Sequence, residues 1–392
     1  MKKNVFIYLL LMFCTLWITS CNSSDNPVED GEETADYVTF STDSPMTFVI
    51  WYVGEVPAKI EYSLNEGEWI TYTKGEILDF GGLHGTLRLR GRNSFGTCLD
   101  ERNYLHFIVD APEGTFFRVS GDIRTLVDWK NYQSADTSEA RFCSLFTGCG
   151  RMISAPALPA MQLATECYES MFRNCYSLVE APELPAIQLA EACYSGMFKH
   201  CYSLLETPVL PAIEAPDNCY AGMFWSCTGL KKVNLIAAKS LGVNACGHMF
   251  RYCRNLVTAL DFSFEKLSEY CCASMFWECN SLTAIPDVFP AKELKKYCYK
   301  SMFFECYNLE KSPVLPAEVL VEGCYDSMFE NGHPSEVTML AHHVEENNLR
   351  KWLKPYGSSI PGVLKKSPHM SLEELKNANA VPEGWTVVDY EF

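Results

Sequence analysis

The chain has 392 residues, 48% of them hydrophobic, so it can bury a large core but is longer than a typical single domain. Acidic residues outnumber lysine and arginine by 49 to 32, which gives a formal net charge of -17. Phosphate binding needs a clustered basic face, so this composition argues against nucleic acid as a partner. We expect two or three structural units.

Residues 1–20 have the pattern of an export signal. Lysines at the start precede an apolar run over residues 5–18, and small residues stand immediately before Cys21. This arrangement resembles a bacterial lipobox. The resemblance implies cleavage before Cys21, acylation of that residue and anchoring in the outer membrane, facing the exterior. The alternatives are an ordinary signal peptide or a single membrane anchor, although the run is shorter than the roughly 20 apolar residues of a spanning helix.

The segment 21–36 is polar and acidic and has almost nothing to bury, which predicts a disordered tether. Acidic residues just behind a lipidated cysteine also resemble the signal that sends some lipoproteins to the outer face of the outer membrane. A solvated linker can have the same composition.

The segment 37–119 alternates apolar and polar residues with a period of two. Residues 47–53, 87–90 and 105–109 read as strands, and Asn65-Glu66-Gly67 predicts the turn of a hairpin between residues 60–64 and 68–73. We therefore predict a small immunoglobulin-like β-sandwich. It would act as a spacer or as the N-terminal cap of the next unit, with residues 120–140 as a lead-in.

A repeat dominates the segment 141–332. The pair Met-Phe, or Leu-Phe in the first copy, recurs every 26 residues with one interval of 27, starting at residues 145, 171, 197, 223, 249, 275, 302 and 328. A fixed period of this size indicates a solenoid, in which each unit buries its apolar face by stacking on its neighbours.

The unit that contains Met171 illustrates the structure we expect within each repeat. Its apolar residues fall three to five positions apart and predict one helix, at Leu163, Cys167, Tyr168, Met171, Phe172 and Cys175. An extended stretch follows and ends in Leu184-Pro185-Ala186, which predicts a strand of three or four residues with its prolines at an edge or bend. The predicted fold is an α/β leucine-rich-repeat solenoid of short parallel strands and helices, preceded by the all-β sandwich.

The repeat motif resembles a known family. Met-Phe-x-x-Cys-x-Ser-Leu followed by Ala-Pro-x-Leu-Pro-Ala, as in residues 171–186, is similar to the BspA-like leucine-rich-repeat family of bacterial cell-surface proteins. The resemblance implies surface display and, for some members, adhesion to host proteins or other bacteria. The copies at Met223 and Met249 lack the prolines. The last copy has Gly332 in place of the cysteine, which suggests that stacking ends there, and residues 333–392 are predicted as a C-terminal cap.

The 19 cysteines mostly follow the repeat period. One column lies four residues after the Met or Leu, at Cys149, Cys175, Cys201, Cys227, Cys253, Cys279 and Cys306. A second column lies four residues before the Met, at Cys167, Cys193, Cys219, Cys271, Cys298 and Cys324. Buried free thiols are the favoured interpretation, with disulfides and zinc as alternatives. Cys246 and the pair Cys271-Cys272 are irregular enough to be exceptions.

We find no catalytic motif, no cofactor motif and no metal-ligand set in the sequence, so we predict a binding protein rather than an enzyme. Aromatic residues at outward-facing repeat positions are the candidate ligand-binding groups, because Trp and Tyr supply many binding hot spots or stack on sugars. The alternative is that they cover the junction between layers. The candidates are Trp225, Tyr252, Trp277, Phe304, Tyr176, Tyr202 and Tyr307.

The predicted function is that of a monomeric, lipid-anchored adhesin that recognises an extracellular host or bacterial macromolecule through its repeat surface. The alternative is a glycan-capture lipoprotein of a nutrient-uptake system. An enzyme with an unrecognised site and a spacer without a ligand are two further classes.

Overall fold

The computed structural model describes residues 35–260, 262–332, 334–355, 357 and 361–391. The predicted signal peptide, the lipidation site Cys21 and nearly all of the tether lie outside the described residues. From Ala35 onward the chain forms one compact unit.

Residues 35–120 contain nine strands in two sheets. Strand β1 (Val38–Ser41) lies between β6 (Leu87–Gly91) and β9 (Phe117–Ser120), and β6 also pairs with β3 (Ile60–Leu64), which pairs with β4 (Ile70–Thr71). The other sheet has the order β5-β2-β8-β7, formed by β2 (Met46–Val53), β5 (Leu78–Phe80), β7 (Cys98–Asp100) and β8 (Asn103–Asp110).

The predicted hairpin forms. Strands β3 and β4 pair antiparallel, with Tyr62 opposite Ile70. Asn65 and Glu66 both adopt left-handed conformations, with φ of 47° and 61°. Two consecutive positive φ angles make a tight turn whose twist matches that of the flanking strands.

The sandwich covers the N-terminal end of the solenoid. Phe40 of β1 meets Phe48 of β2 at 5.1 Å between ring centroids, so the two sheets share one core. Strand β10 (Met152–Ser154), from the first repeat, pairs parallel with β9, and Phe146 packs on Phe107 at 5.4 Å. Because terminal units must cover an exposed core, these contacts favour the role of cap over that of spacer.

A disulfide joins the two regions. Cys98 of β7 is bonded to Cys143, which lies just before the first Leu-Phe pair. The lead-in between them carries a short helix, α1 (Thr125–Asp128), and an ion pair in which Arg124 donates to Asp122 at 2.7 Å. The sequence did not single out Cys98 or Cys143, because neither falls in a repeat column.

The repeats form a β-solenoid of about seven turns with a period of about 26 residues. The helix predicted in each unit is wrong, since the corresponding residues form consecutive tight turns. The N–H of Phe172 donates to the carbonyl of Met197 in the next unit at 2.9 Å, whereas the N–H of Arg173 donates three residues back to Ser170 at 3.1 Å. Successive N–H groups thus alternate between bonds to the next unit and bonds within a turn.

A left-handed residue every four positions produces this path. In the unit of Met171 the φ angles of Glu166, Ser170 and Asn174 are 58°, 52° and 62°. Such angles interrupt a right-handed helix, and they favour glycine and small polar residues. The apolar pairs recur every four residues, so they all point inward when the chain turns every four residues.

Stacked rings fill the interior. Each Phe of the Met-Phe pair lies on the Phe of the next unit, for example Phe198 on Phe224 at 5.5 Å and 6° between ring planes. Buried tyrosines make a parallel column, with Tyr194 on Tyr220 at 6.0 Å. Each ring is covered on both faces only when the units on both sides of it are present, so the columns are buried only within the stack.

The repeat cysteines of both columns are buried free thiols. In the first column, each thiol from Cys175 onward donates to the carbonyl of a Phe in the preceding unit; for example, Cys227 donates to Phe198 at 3.1 Å. A cysteine is small enough to be buried at this position and also satisfies a carbonyl. Cys246, Cys271 and Cys272, the expected exceptions, are free and buried as well.

The strand side of the units is less regular than expected. Among the described residues between 155 and 310, it contains only β11 (Glu214–Ala215) and β12 (Ser240–Leu241), together with isolated parallel bridges such as Leu210 with Ile236. Prolines in many units cannot donate to a ladder, which explains the short pairings.

Parallel stacking does not end at Gly332. Four strands continue it in the order β13-β14-β15-β16, and a capped helix, α2 (Leu372–Asn377), lies between the last two. The N–H of Phe329 donates to the carbonyl of Trp352, so Trp352 stands where earlier units have Met. The strands are β13 (Lys311–Leu315), β14 (Glu336–Met339), β15 (Val363–Lys366) and β16 (Thr386–Asp389).

Candidate binding surfaces

The side with the consecutive turns places equivalent residues of adjacent units in columns. The inter-unit hydrogen bonds hold these columns in register, and stacked rings show a spacing of about 5.5 Å per unit. The residues two places after the Met form one outward column. It contains the candidates Trp225, Trp277 and Phe304, together with Arg173, Lys199 and Arg251.

These side chains form a stacked row of cations and rings, which we call the cation–aromatic ladder. The Lys199 Nζ lies 3.9 Å from the ring centroid of Trp225, and the Arg251 Cζ lies 5.1 Å from that centroid. Arg251 also lies 4.4 Å from Trp277, which stacks on Phe304 at 3.9 Å. The faces of Trp225 and Trp277 are therefore covered by neighbouring side chains.

Tyr252 lies beside this ladder. The guanidinium Nη2 of Arg251 donates to the Tyr252 hydroxyl at 3.1 Å, and Arg254 lies 5.6 Å from the Tyr252 ring. Four of the seven candidate residues thus belong to one cluster. Its accessible groups are ring edges and cationic heads rather than open ring faces, so it suits recognition of charge more than stacking on a sugar.

The other three candidates do not form one site. Tyr176 and Tyr202 stack at 5.2 Å with 7° between their planes, and each is 45% exposed. Tyr307 occupies the same column, but the equivalent residues of three intervening units separate it from Tyr202, so it is remote from the pair. These residues are Thr228, Arg254 and Asn280.

The ladder region has a positive local field in a chain of strongly negative net charge. Burial and the neighbouring charges of Arg173 and Arg251 lower the pKa of Lys199. Burial, Arg251 and Lys199 lower the pKa of His248 to about 4. His200 also has a lowered pKa, because it is partly buried and lies near Lys199 and Arg173.

A second surface, on the strand side, was missed in the sequence. In the first four units, residues alternate between buried and outward-facing with a period of two, as in residues 183–187. The outward positions are apolar except for Glu183 and Lys239, and we call the apolar ones the apolar strand face: Ala157, Pro159, Met161, Pro185, Ile187, Val209, Pro211, Ile213, Leu235 and Ala237.

The exposure of this face is substantial. Ile187 and Ile213 are each 56% exposed, Met161 is 51% exposed and Val209 is 50% exposed. The position of Met161, Ile187 and Ile213 carries a charge from the fourth unit onward, at Lys239, Glu265 and Lys292. The signal was present in the sequence, because an apolar residue, Met161, Ile187 or Ile213, follows Leu-Pro-Ala in each of the first three units.

Among the residues that the structure describes, no cluster of His, Cys, Asp or Glu could hold a metal ion. No helix in this described part is long and apolar enough to cross a membrane. Comparison with protein-family models, with curated proteins and with solved structures produced no match to this chain.

Proposed function

We propose that this chain is a lipid-anchored binding protein of a bacterial outer surface, and that it acts as an adhesin for an extracellular host or bacterial protein. The observation that carries the proposal is the apolar strand face. Large exposed apolar patches are uncommon on soluble monomers and typically mark interaction sites.

The composition of the face favours a protein as the partner. Its aliphatic and proline side chains offer no hydrogen bonds to sugar hydroxyls, whereas they can bury apolar surface of another protein at about 25 cal/mol per Å². The exposed residues belong to adjacent units and point the same way, so they can act together.

Two sequence resemblances support the cellular setting. The repeat motif is similar to BspA-like leucine-rich-repeat proteins, and the segment around Cys21 resembles a lipobox. On this proposal, the lipid anchor holds the chain in the outer membrane, the N-terminal sandwich is an immunoglobulin-like base, and the chain works as a monomeric binding protein without catalysis.

The second candidate function is glycan capture for a nutrient-uptake system. The exposed pair Tyr176 and Tyr202 favours it, because aromatic side chains with hydroxyl groups contact sugars well. If this candidate is right, the variant Tyr176→Ala/Tyr202→Ala should lose binding to a soluble polysaccharide.

An array of purified extracellular-matrix proteins and neutral glycans tests the first proposal. We expect the purified protein to bind at least one matrix protein, and Ile187→Asp/Ile213→Asp to bind it at least tenfold more weakly, because the carboxylates would be desolvated at the interface.

Val319→Asp is the matched control, since Val319 is 72% exposed but lies in a later unit outside the apolar strand face. It should bind like the parent protein. Equal binding by parent and Ile187→Asp/Ile213→Asp would refute a role for this face, and binding to glycans alone would favour the second candidate.

A further inference from the structure

Three cations of the cation–aromatic ladder lie in one column, and two of them are adjacent. Arg173, Lys199 and Arg251 occupy one column, with Arg173 and Lys199 in adjacent units and Trp225 between Lys199 and Arg251. At about 5.5 Å per unit, the three positive groups fall within roughly three unit spacings.

None of these three cations forms an ion pair with any residue that the structure describes. Arg254, three residues after Arg251, does form such a pair, with Glu278 at 2.7 Å. Glu278 is the carboxylate next to the ladder, and it is already bound by Arg254 and by the indole N–H of Trp277 at 3.3 Å.

Two buried polar atoms in the cluster have no hydrogen-bond partner. They are the Nε of Arg251 and the Nδ1 of His200. Buried polar groups are normally satisfied, because leaving one unpaired costs about 1–3 kcal/mol. The neighbouring cations and partial burial also lower the pKa values of Lys199 and His200, and no carboxylate contributes at either group.

We propose that Arg173 and Lys199 bind the anionic group, a carboxylate or a sulfate ester, of an acidic saccharide, while Arg251 adds positive charge from the far face of Trp225. The anion supplies the missing counter-charge. The Tyr252 hydroxyl and the edges of Trp225 and Trp277 flank the cations and contact the sugar ring. This site is separate from the apolar strand face, and it does not require a protein partner there.

The surroundings favour a sparsely charged saccharide over other anions. The net charge of -17 repels a long polyanion, while the two adjacent cations Arg173 and Lys199 suffice for one anionic group. An acidic peptide has little to add through its backbone, because the N–H groups on this side of the solenoid already donate to the next unit or within a turn, as at Phe224 and Trp225.

Calorimetric titration of the purified protein tests the proposal with three trisaccharides that differ at one terminal sugar, which carries a glucuronate, a sulfate ester or neither. We expect at least tenfold tighter binding of one charged form than of the neutral form, weakened by raising NaCl from roughly 20 to 300 mM. The charged form that binds more tightly identifies the anionic group.

Arg173→Gln and Lys199→Gln should each weaken the charged trisaccharide roughly tenfold and leave binding of the neutral one unchanged. Arg173 is exposed, so its replacement leaves the ladder folded. Lys231→Gln, on an exposed lysine next to the strand side, is the control and should bind like the parent.

Equal binding of charged and neutral forms, or no binding at millimolar concentration, would overturn the proposal. Tighter binding of a hexaglutamate peptide than of either charged trisaccharide would overturn the assignment to a saccharide. Failure here leaves matrix-protein binding by the apolar strand face intact, because that test uses different residues.

Discussion

The repeat column to which a residue belongs determines which side chains it contacts in the neighbouring units. Trp225 and Trp277 were predicted as ligand-binding because aromatic residues gather two places after the Met, and they do share a column. Their faces are covered by Lys199, Arg251 and Phe304. The sequence shows which residues align, but the rotamers that bring a cation over a ring depend on packing with both neighbours.

His248 is the residue that most directly couples this cluster to pH. Its pKa falls from 6.5 to about 4 through burial and the nearby Arg251 and Lys199. Because the folded-state pKa lies below the unfolded-state value, the unfolded chain binds the proton first as the pH falls. The stabilisation from the neutral imidazole is complete above pH 6.5 and is lost as the pH falls toward 4.

We therefore expect the melting temperature of the parent protein to fall more steeply between pH 7 and pH 4 than that of His248→Asn. Asparagine tolerates the positive φ of 57° at this position but does not titrate there. Thermal unfolding at four pH values measures the difference. A constant difference between the two proteins across this range would show that His248 does not contribute.

At the scale of elements, the main discrepancy is between helix and turns. The apolar spacing in residues 163–175 fits both, because a helix with 3.6 residues per turn and a series of four-residue turns each bring such residues to one side. The left-handed residue at every fourth position, such as Ser226 with φ of 60°, is incompatible with a helix.

The turn geometry leads to a substitution test at Ser226. We expect Ser226→Val to lower the free energy of unfolding by about 1–3 kcal/mol, because a β-branched residue is strained at positive φ. Ser226→Asn should change it by no more than about 0.5 kcal/mol, since Asn accepts this conformation. Urea unfolding followed by circular dichroism measures both. Equal stability of the two variants would argue against the left-handed turn.

At the scale of the whole molecule, the sandwich and the solenoid share an interface rather than a flexible joint. Strand β9 pairs with β10, Phe107 packs on Phe146, and the Cys98–Cys143 disulfide crosses the junction. The 15 other described cysteines are buried thiols, so reductant has a single disulfide to act on in the described part of the chain.

Removing this disulfide should destabilise the junction. We expect Cys98→Ala/Cys143→Ala to lower the free energy of unfolding by about 2–4 kcal/mol, because the unfolded chain loses the constraint between residues 45 apart. Reductant should lower the melting temperature of the parent toward that of the variant and leave the variant unchanged. If reductant acts equally on both proteins, the disulfide does not hold the junction.

Much of the architecture could be predicted from local pattern. The regular repeat indicated a solenoid, the period of two indicated β-strands before it, and Asn65-Glu66-Gly67 indicated the hairpin, because each depends on residues close in the sequence. The cysteine columns followed from the same period. These features depend on the spacing of residues along the chain, and that spacing can be read without knowing which residues are in contact.

Other features depend on contacts between units. Whether apolar pairs every four residues form a helix or turns is decided by hydrogen bonds to carbonyls some 25 residues away, as from Phe172 to Met197. The outward direction of Ile187 and Ile213, the covered faces of Trp225 and Trp277, and the Cys98–Cys143 bond likewise arise when distant segments pack. Each of these features is stabilised by contacts between residues far apart in the chain, so no local sequence pattern predicts it.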